Sequence, residues 1–189
     1  GPGGSFTFGW YDDSRLWAIA GSATSSYVYD HQGRRKSKTV SSVTTNYLYD
    51  GLNLIQEIGA TPADYLFGPG IDEPLAMSRA GQIYYYSTDA LGSVAAITNS
   101  AGTVQNSYLF DAWGQTRAQT GSLANPFTYT AREQGEAGSL FYRARYYNPT
   151  VGRFLSEDPS RGADLLVPLA YVGNDPISFI DPLGLARAT

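Results

Sequence analysis

Three segments of this chain repeat one short pattern, aromatic-x-aromatic-Asp followed by turn residues. They are Tyr27-Val28-Tyr29-Asp30, Tyr47-Leu48-Tyr49-Asp50 and Tyr108-Leu109-Phe110-Asp111. Looser copies lie between them, at residues 64–70 and 83–93. The tyrosines Tyr27, Tyr47, Tyr65, Tyr86 and Tyr108 are spaced by 20, 18, 21 and 22 residues, which fits one two-stranded unit per copy. Within a copy, Tyr27 and Tyr29 alternate onto one face of a strand, as do Tyr47 and Tyr49. The aspartate that follows can accept bonds from backbone N–H groups of the turn, and Gly33 tolerates a positive φ. Turns with glycine recur at His31-Gln32-Gly33, Arg79-Ala80-Gly81 and Ser100-Ala101-Gly102. The last of these joins residues 93–99 and 103–110 as a hairpin.

Composition agrees with this reading. The chain holds 15 Tyr, 8 Phe and 3 Trp beside 21 Gly, which is what pleated strands and tight turns select. The expected class is all-β. Cysteine is absent, which removes disulfides, thiolate nucleophiles and zinc–sulfur sites together. His31 is the single histidine, in a repeat turn and expected to be solvated, so multi-histidine metal sites are excluded and a Ser/His/Asp triad has little room. No metal or cofactor is expected. A net charge of −4 has the wrong sign for a nucleic-acid binder. No run of 18 apolar residues suggests a membrane span. Residues 1–5 read as a protease scar and linker.

After about Leu123 the texture changes. Residues 125–185 are denser in aromatics and arginine and hold three Asp-Pro pairs, at Asp158, Asp175 and Asp181. Residues 139–147, SLFYRARYY, alternate Leu140, Tyr142, Ala144 and Tyr146 against Phe141, Arg143, Arg145 and Tyr147. Both faces carry large groups, so this reads as one strand buried on two sides, with arginines that need partners. Residues 162–172 read as a short helix or turn interrupted by Pro168.

These residues resemble the Rhs/YD-repeat family, specifically its Rhs-repeat-associated core module with the last repeats before it. The Tyr-Asp tetrads are similar to YD repeats. The segments TDALGSVAAITNSAGTV, YLFDAWGQT, SLFYRARYYNPTVGRFLSEDP and AYVGNDPISFIDPLGL resemble family signatures from about Tyr27 to Leu185. Ala90 stands where the family usually has His, and Ala112 and Trp113 replace Pro and Phe. The resemblance implies repeat hairpins over residues 6–123, forming part of a curved or spiral shell. It implies a β-rich plug that acts as a self-cleaving core module over 124–185, and a cargo stub over 186–189. The family's shell encloses a C-terminal toxin, and its core module cuts the chain after the DPxGL motif. That motif is Asp181-Pro182-Leu183-Gly184-Leu185 here, so the implied scissile bond is Leu185-Ala186. Two aspartates and an arginine carried over by motif are Asp158, Asp181 and Arg145. The implied partners are the chain's own toxin cargo and the rest of the shell, and the implied setting is bacterial, secreted or delivered at a cell surface.

Residue chemistry narrows the route. Without a metal, a cysteine or a triad, peptide hydrolysis falls to a carboxylate pair: one ionised Asp takes a proton from water and the other, protonated, donates to the leaving group. Arg145 would favour the ionised partner, with Arg143 and Arg153 able to share that task or to pair with Glu157 or other acids. An N→O acyl shift needs Ser, Thr or Cys after the bond, and Ala186 is none of these. Attack by Asp181 on its own carbonyl would instead split Asp181-Pro182. Asp164 and Asp175 are expected to cap turns, and Tyr142, Tyr146 and Tyr147 to build a wall. Pro182 and Gly184 would kink the substrate segment, with Leu183 and Leu185 anchoring it in apolar pockets. The alternative is a non-catalytic β module, encapsulating or carbohydrate-binding at a cell surface, whose aspartates only make turns. A fragment of a shell would also leave sheet edges open to self-association.

Overall fold

The fold is a computed structural model that describes residues 6–21, 24–160 and 167–185. Residues 1–5, 22–23, 161–166 and 186–189 lie outside it, and with them Asp164, Ala186 and part of the segment expected to be helix or turn. Twelve strands form one antiparallel sheet in sequence order. They are β1 (Thr7–Trp10), β2 (Leu16–Ala20), β3 (Ser25–Tyr29), β4 (Arg35–Val40), β5 (Val43–Asp50) and β6 (Asn53–Ile58), then β7 (Ala63–Phe67), β8 (Pro74–Arg79), β9 (Gln82–Thr88), β10 (Val94–Asn99), β11 (Val104–Phe110) and β12 (Thr116–Thr120). A second antiparallel sheet holds β13 (Glu133–Gln134), β14 (Leu140–Tyr142), β15 (Arg145–Asn148) and β16 (Arg153–Phe154). The described residues contain only short 3₁₀ turns besides strands, and no helix among them is long and apolar enough to cross a membrane.

The repeats appear as expected, one hairpin each, with Tyr27, Tyr47, Tyr65, Tyr86 and Tyr108 on β3, β5, β7, β9 and β11. An additional copy precedes them, since β1 and β2 form the same hairpin around Tyr11-Asp12-Asp13-Ser14. The aspartates make the turns. Asp30 Oδ1 accepts from the N–H groups of Gln32 and Arg34, both at 2.9 Å, while Gly33 sits at φ +79°. Asp89 and Asp111 repeat the same pair of bonds, and Asn99 does so in the β10–β11 turn. The β5–β6 turn differs because only Gly51 and Leu52 separate the paired Asp50 and Asn53, too few residues for that loop. In β1, β3, β5, β7 and β11 the register shifts just before the second aromatic position, a bulge that turns the chain into its loop.

Because the sheet is antiparallel and sequential, the loops from odd to even strands all leave one end of it. The second module sits against that end. Trp113 carbonyl accepts from the Tyr147 hydroxyl, and Ala112 carbonyl from that of Tyr129. One face of the sheet is buried: Tyr47, Leu54, Tyr65, Met77, Val94, Ile97 and Tyr108 pack around Phe127. Further along, Leu16, Ile19 and Tyr27 pack on Phe141 and Tyr146 of the second sheet. Arg35, fully buried there, pairs with Glu133 at 2.5 Å and lies under the rings of Tyr27, Tyr47 and Phe141. The opposite face leaves the middle residue of each motif exposed, at Val28, Leu48, Leu66 and Leu109.

Residues 139–147 depart from the expected single strand. They fold as the tight hairpin β14–β15, with Tyr142 paired to Arg145 and a two-residue turn at Arg143-Ala144. The cause is tertiary. Arg143 takes φ +56°, unusual without glycine or asparagine, and its guanidinium is held by groups from distant loops. Burial on both faces is nonetheless seen, since Leu140, Phe141, Tyr142, Arg145, Tyr146 and Tyr147 are all buried.

Candidate active site: a hairpin turn that grips the DPLGL segment

Three consecutive residues of the β14–β15 hairpin hold three consecutive carbonyls of the segment after Asp181. Arg143 Nη1 donates to the Pro182 carbonyl, Ala144 N–H donates to that of Leu183 at 3.2 Å, and Arg145 Nε donates to that of Gly184 at 2.5 Å. Asp181 closes the turn on itself. Its backbone carbonyl accepts from Gly184 N–H at 3.3 Å, and its Oδ1 accepts from Leu185 N–H at 3.0 Å. Gly184 sits at φ +68°, where a β-carbon would lie 2.2 Å from the Tyr142 carbonyl oxygen, so the close approach requires glycine. The segment is thus fixed by its backbone. The expected side-chain anchoring is corrected for Leu183, which is 41% exposed, and Leu185 is only partly buried. A cleft of about 420 Å³ opens beside both leucines, walled by His31, Gly33, Arg34, Leu52 and Pro159 among others.

Arg145 brings the sequence-derived residues together. One guanidinium nitrogen lies 3.1 Å from Asp158 Oδ2 and 3.4 Å from Asp181 Oδ2. Its other Nη donates to the Pro168 carbonyl at 3.2 Å, and the plane stacks 3.6 Å above the Phe154 ring. Burial pushes its pKa below the usual guanidinium range, while Asp158 and Asp181 pull it back, and it stays a cation. Asp181 is only 2% exposed. Asp158 is less buried, with a side chain 21% exposed, and its Oδ1 is held by the N–H and hydroxyl of Ser160 at 2.8 and 2.6 Å. The two carboxylates therefore differ: one is enclosed on the DPLGL segment, the other stands nearer solvent.

The remaining candidates separate. Arg143 finds its acid in Asp72, at 2.7 Å, and Arg153 is exposed opposite Asn148. Asp175 Oδ1 accepts from Ser178 N–H at 3.3 Å, a turn bond. Tyr142, Tyr146 and Tyr147 are fully buried in the wall, with the Tyr142 hydroxyl 2.7 Å from that of Thr130. Among the described residues no group of three acidic or imidazole side chains offers a metal site. Asp72 and Arg132 belong to the neighbourhood and had no sequence signal, since neither lies in a repeat tetrad or in the DPLGL motif.

Comparison with known proteins settles the lineage. The Teneurin YD-shell family model matches residues 72–172, more than half of the chain. The chain belongs to the teneurin YD-shell family. Among curated proteins, this YD-shell chain is 35% identical over 198 residues to the tRNA3(Ser)-specific nuclease WapA of Bacillus spizizenii, a match covering 96% of the chain and 8% of that protein. It is 26% identical over 206 residues to the double-stranded DNA deaminase toxin A of Burkholderia cenocepacia, covering 89% of the chain and 14% of the toxin. The crystal structure of TcdB2-TccC3-TEV superposes with a TM-score of 0.79 over 95% of the chain and 10% of that structure, at 20% identity, which establishes a shared YD-shell fold. The chain spans about a tenth of the length of these relatives.

Proposed function

We propose that this YD-shell chain is the closing stretch of a toxin shell and that residues 124–185 cut their own chain at Leu185-Ala186, freeing a C-terminal toxin cargo. The observation that carries this reading is the shared guanidinium. Arg145 gathers Asp158, Asp181 and the Gly184 carbonyl, while Asp181 also holds the N–H of Leu185, the residue bearing the scissile carbonyl. In the proposed step one carboxylate removes a proton from water as its oxygen adds to the Leu185 carbonyl carbon. The other, protonated, gives its proton to the Ala186 nitrogen as the C–N bond breaks. Two carboxylates on one cation can hold a single proton between them as a unit. Backbone-held substrate makes the reaction intramolecular, for which effective molarities of about 10⁵ M are available.

Toxin relatives support the same setting: a secreted or delivered protein whose enclosed cargo follows the shell. β1 and β12 would then pair with neighbouring parts of a longer shell. In isolation those two edges are expected to associate, so light scattering should show a mass that rises with concentration; a constant monomer mass would count against open edges.

The cleavage test is a folded reporter domain fused after Thr189. The wild-type fusion should yield a fragment ending at Leu185, and Asp181→Asn or Asp158→Asn should remain intact. Intact mass distinguishes this cut from one at Asp181-Pro182, which differs by residues 182–185. A wild-type fusion uncut from mildly acidic to neutral pH would favour the second reading, a non-catalytic encapsulating or cell-surface module. The exposed row of Val28, Leu48, Leu66 and Leu109 is what speaks for that reading.

A further inference from the structure

The repeat sheet reaches into the candidate site through one residue. Asp72 lies in the loop between β7 and β8, where Glu73 satisfies the local backbone: its carboxylate accepts from Gly70 N–H at 3.0 Å and its carbonyl from Gly68 N–H. Asp72 is thereby left free of turn duty. It takes φ +62°, and its side chain, 8% exposed, points at two arginines of the second module. Arg132 Nη1 lies 2.6 Å from both of its oxygens. Arg143 donates to the same carboxylate at 2.7 and 3.0 Å. Both arginines then converge on the Pro182 carbonyl, Arg143 closely and Arg132 at 3.4 Å. Arg143 is further tied to the sheet through the Leu52 carbonyl at 3.1 Å.

Electrostatics explain why the arrangement needs the acid. Two guanidinium groups on one carbonyl repel each other. Burial first, and Arg132 second, depress the pKa of Arg143, with Asp72 acting in the opposite sense. Without Asp72 the two cations would have no shared counter-ion, and the side chains that hold Pro182 would separate. Pro182 begins the segment whose later carbonyl sits on Arg145, so a displacement there moves the scissile bond relative to both aspartates.

We propose that Asp72 is a positioning residue for self-cleavage: it locks Arg143 and Arg132 onto the Pro182 carbonyl, so that the cut is made only on a module seated against a folded repeat sheet. This rests on the cleavage reading above. Asp72 touches no reacting atom. Its effect runs through Arg143 and Arg132.

The test uses the full chain with the reporter fused after Thr189, following cleavage by gel from a synchronised refolding start. Asp72→Asn, which keeps the shape and removes the charge, should slow cleavage by about 10²-fold, the scale of a misplacement near 1 Å. The decisive measurement is a mutant cycle on the rate, with the arginine pair as one arm. If Asp72 acts through Arg143 and Arg132, adding Asp72→Asn to the combined Arg143→Ala and Arg132→Ala variant slows cleavage no further than that variant alone. Multiplied losses would mean a general structural role and overturn the proposal. Asp72→Asn cleaving at the wild-type rate would overturn it as well. An uncut wild-type fusion removes the parent reading and this inference together, whereas a cut wild type with an equally fast Asp72→Asn removes this inference alone. Should Asp72→Asn lose its near-ultraviolet circular dichroism, Arg132→Lys takes its place. That variant keeps the charge but not the fork, and should slow cleavage at least tenfold with the fold retained; an unchanged rate sinks the proposal.

Discussion

Gly184→Ala is expected to abolish self-cleavage while leaving the large sheet folded. A β-carbon at this position would meet the Tyr142 carbonyl at 2.2 Å and Arg145 N at 3.2 Å, both backbone atoms of a buried hairpin that cannot step aside. The φ of +68° adds strain for any residue with a side chain. The cheapest escape is for the DPLGL segment to lift away from the hairpin, since the hairpin holds it through single bonds to its carbonyls. Lifting breaks the bonds from Ala144 N–H to the Leu183 carbonyl and from Arg145 to the Gly184 carbonyl. Loss of the near-attack geometry should cost at least about 10²-fold in rate. The fold should lose little, because the main cores lie elsewhere. The control is Gly81→Ala, at φ +74° with open space around it: similar strain, intact cleavage. A Gly184→Ala fusion cut at the wild-type rate would show that the grip described here is not the cleavage geometry.

Arg145→Met is expected to be the most destabilising single change in the second module, and also to end cleavage. Methionine can fill space over Phe154, but the guanidinium leaves behind two facing carboxylates, the Pro168 carbonyl and the Gly184 carbonyl. Removing one member of a buried ionic cluster costs about 3–5 kcal/mol, because the other charge is left unpaired in a poor solvent. For a chain of this size that corresponds to a melting-temperature loss on the order of 10 °C. Thermal melts of the wild type and of Arg145→Met measure this directly, and adding Asp158→Asn to Arg145→Met separates the causes: removing a carboxylate left without its cation should restore part of the loss. No restoration would mean that packing against Phe154, and not charge, is what Arg145 provides.

What could be read from the chain divides along the range of the interactions. The hairpin repeats were legible because each is encoded within a few residues. Asp30, Asp89 and Asp111 sit two and four positions before the N–H groups they accept. The first hairpin lies inside the repeat region that the resemblance implies, but no tetrad marks it, because Ser14 occupies the positive-φ position that glycine holds elsewhere and Gly9 and Tyr11 blur the pattern. Arg143-Ala144 gave no turn signal for a different reason. Its backbone is set by Asp72 and Leu52, which are 71 and 91 residues away in sequence. The meeting of Asp158, Asp181 and Arg145 on one guanidinium followed the motif positions, whereas the clamp on Pro182 depends on a loop that no local pattern points to. The leucines of DPLGL do border a cleft, but the hydrogen bonds that hold the segment run to its backbone carbonyls, which no apolar pattern announces.

The strand order has a consequence for timing. Every pairing in the large sheet joins neighbours in sequence, so its hairpins can form one after another while the chain is still being synthesised. The contacts that seat the second module are of another kind, joining Arg35 to Glu133 across 98 residues and Tyr27 to Glu136 across 109. These close only after residues 133–136 have emerged. A ribosome thus delivers the sheet before the hairpin that grips DPLGL, so the order of synthesis keeps that grip from forming before there is a sheet for the hairpin to be seated on.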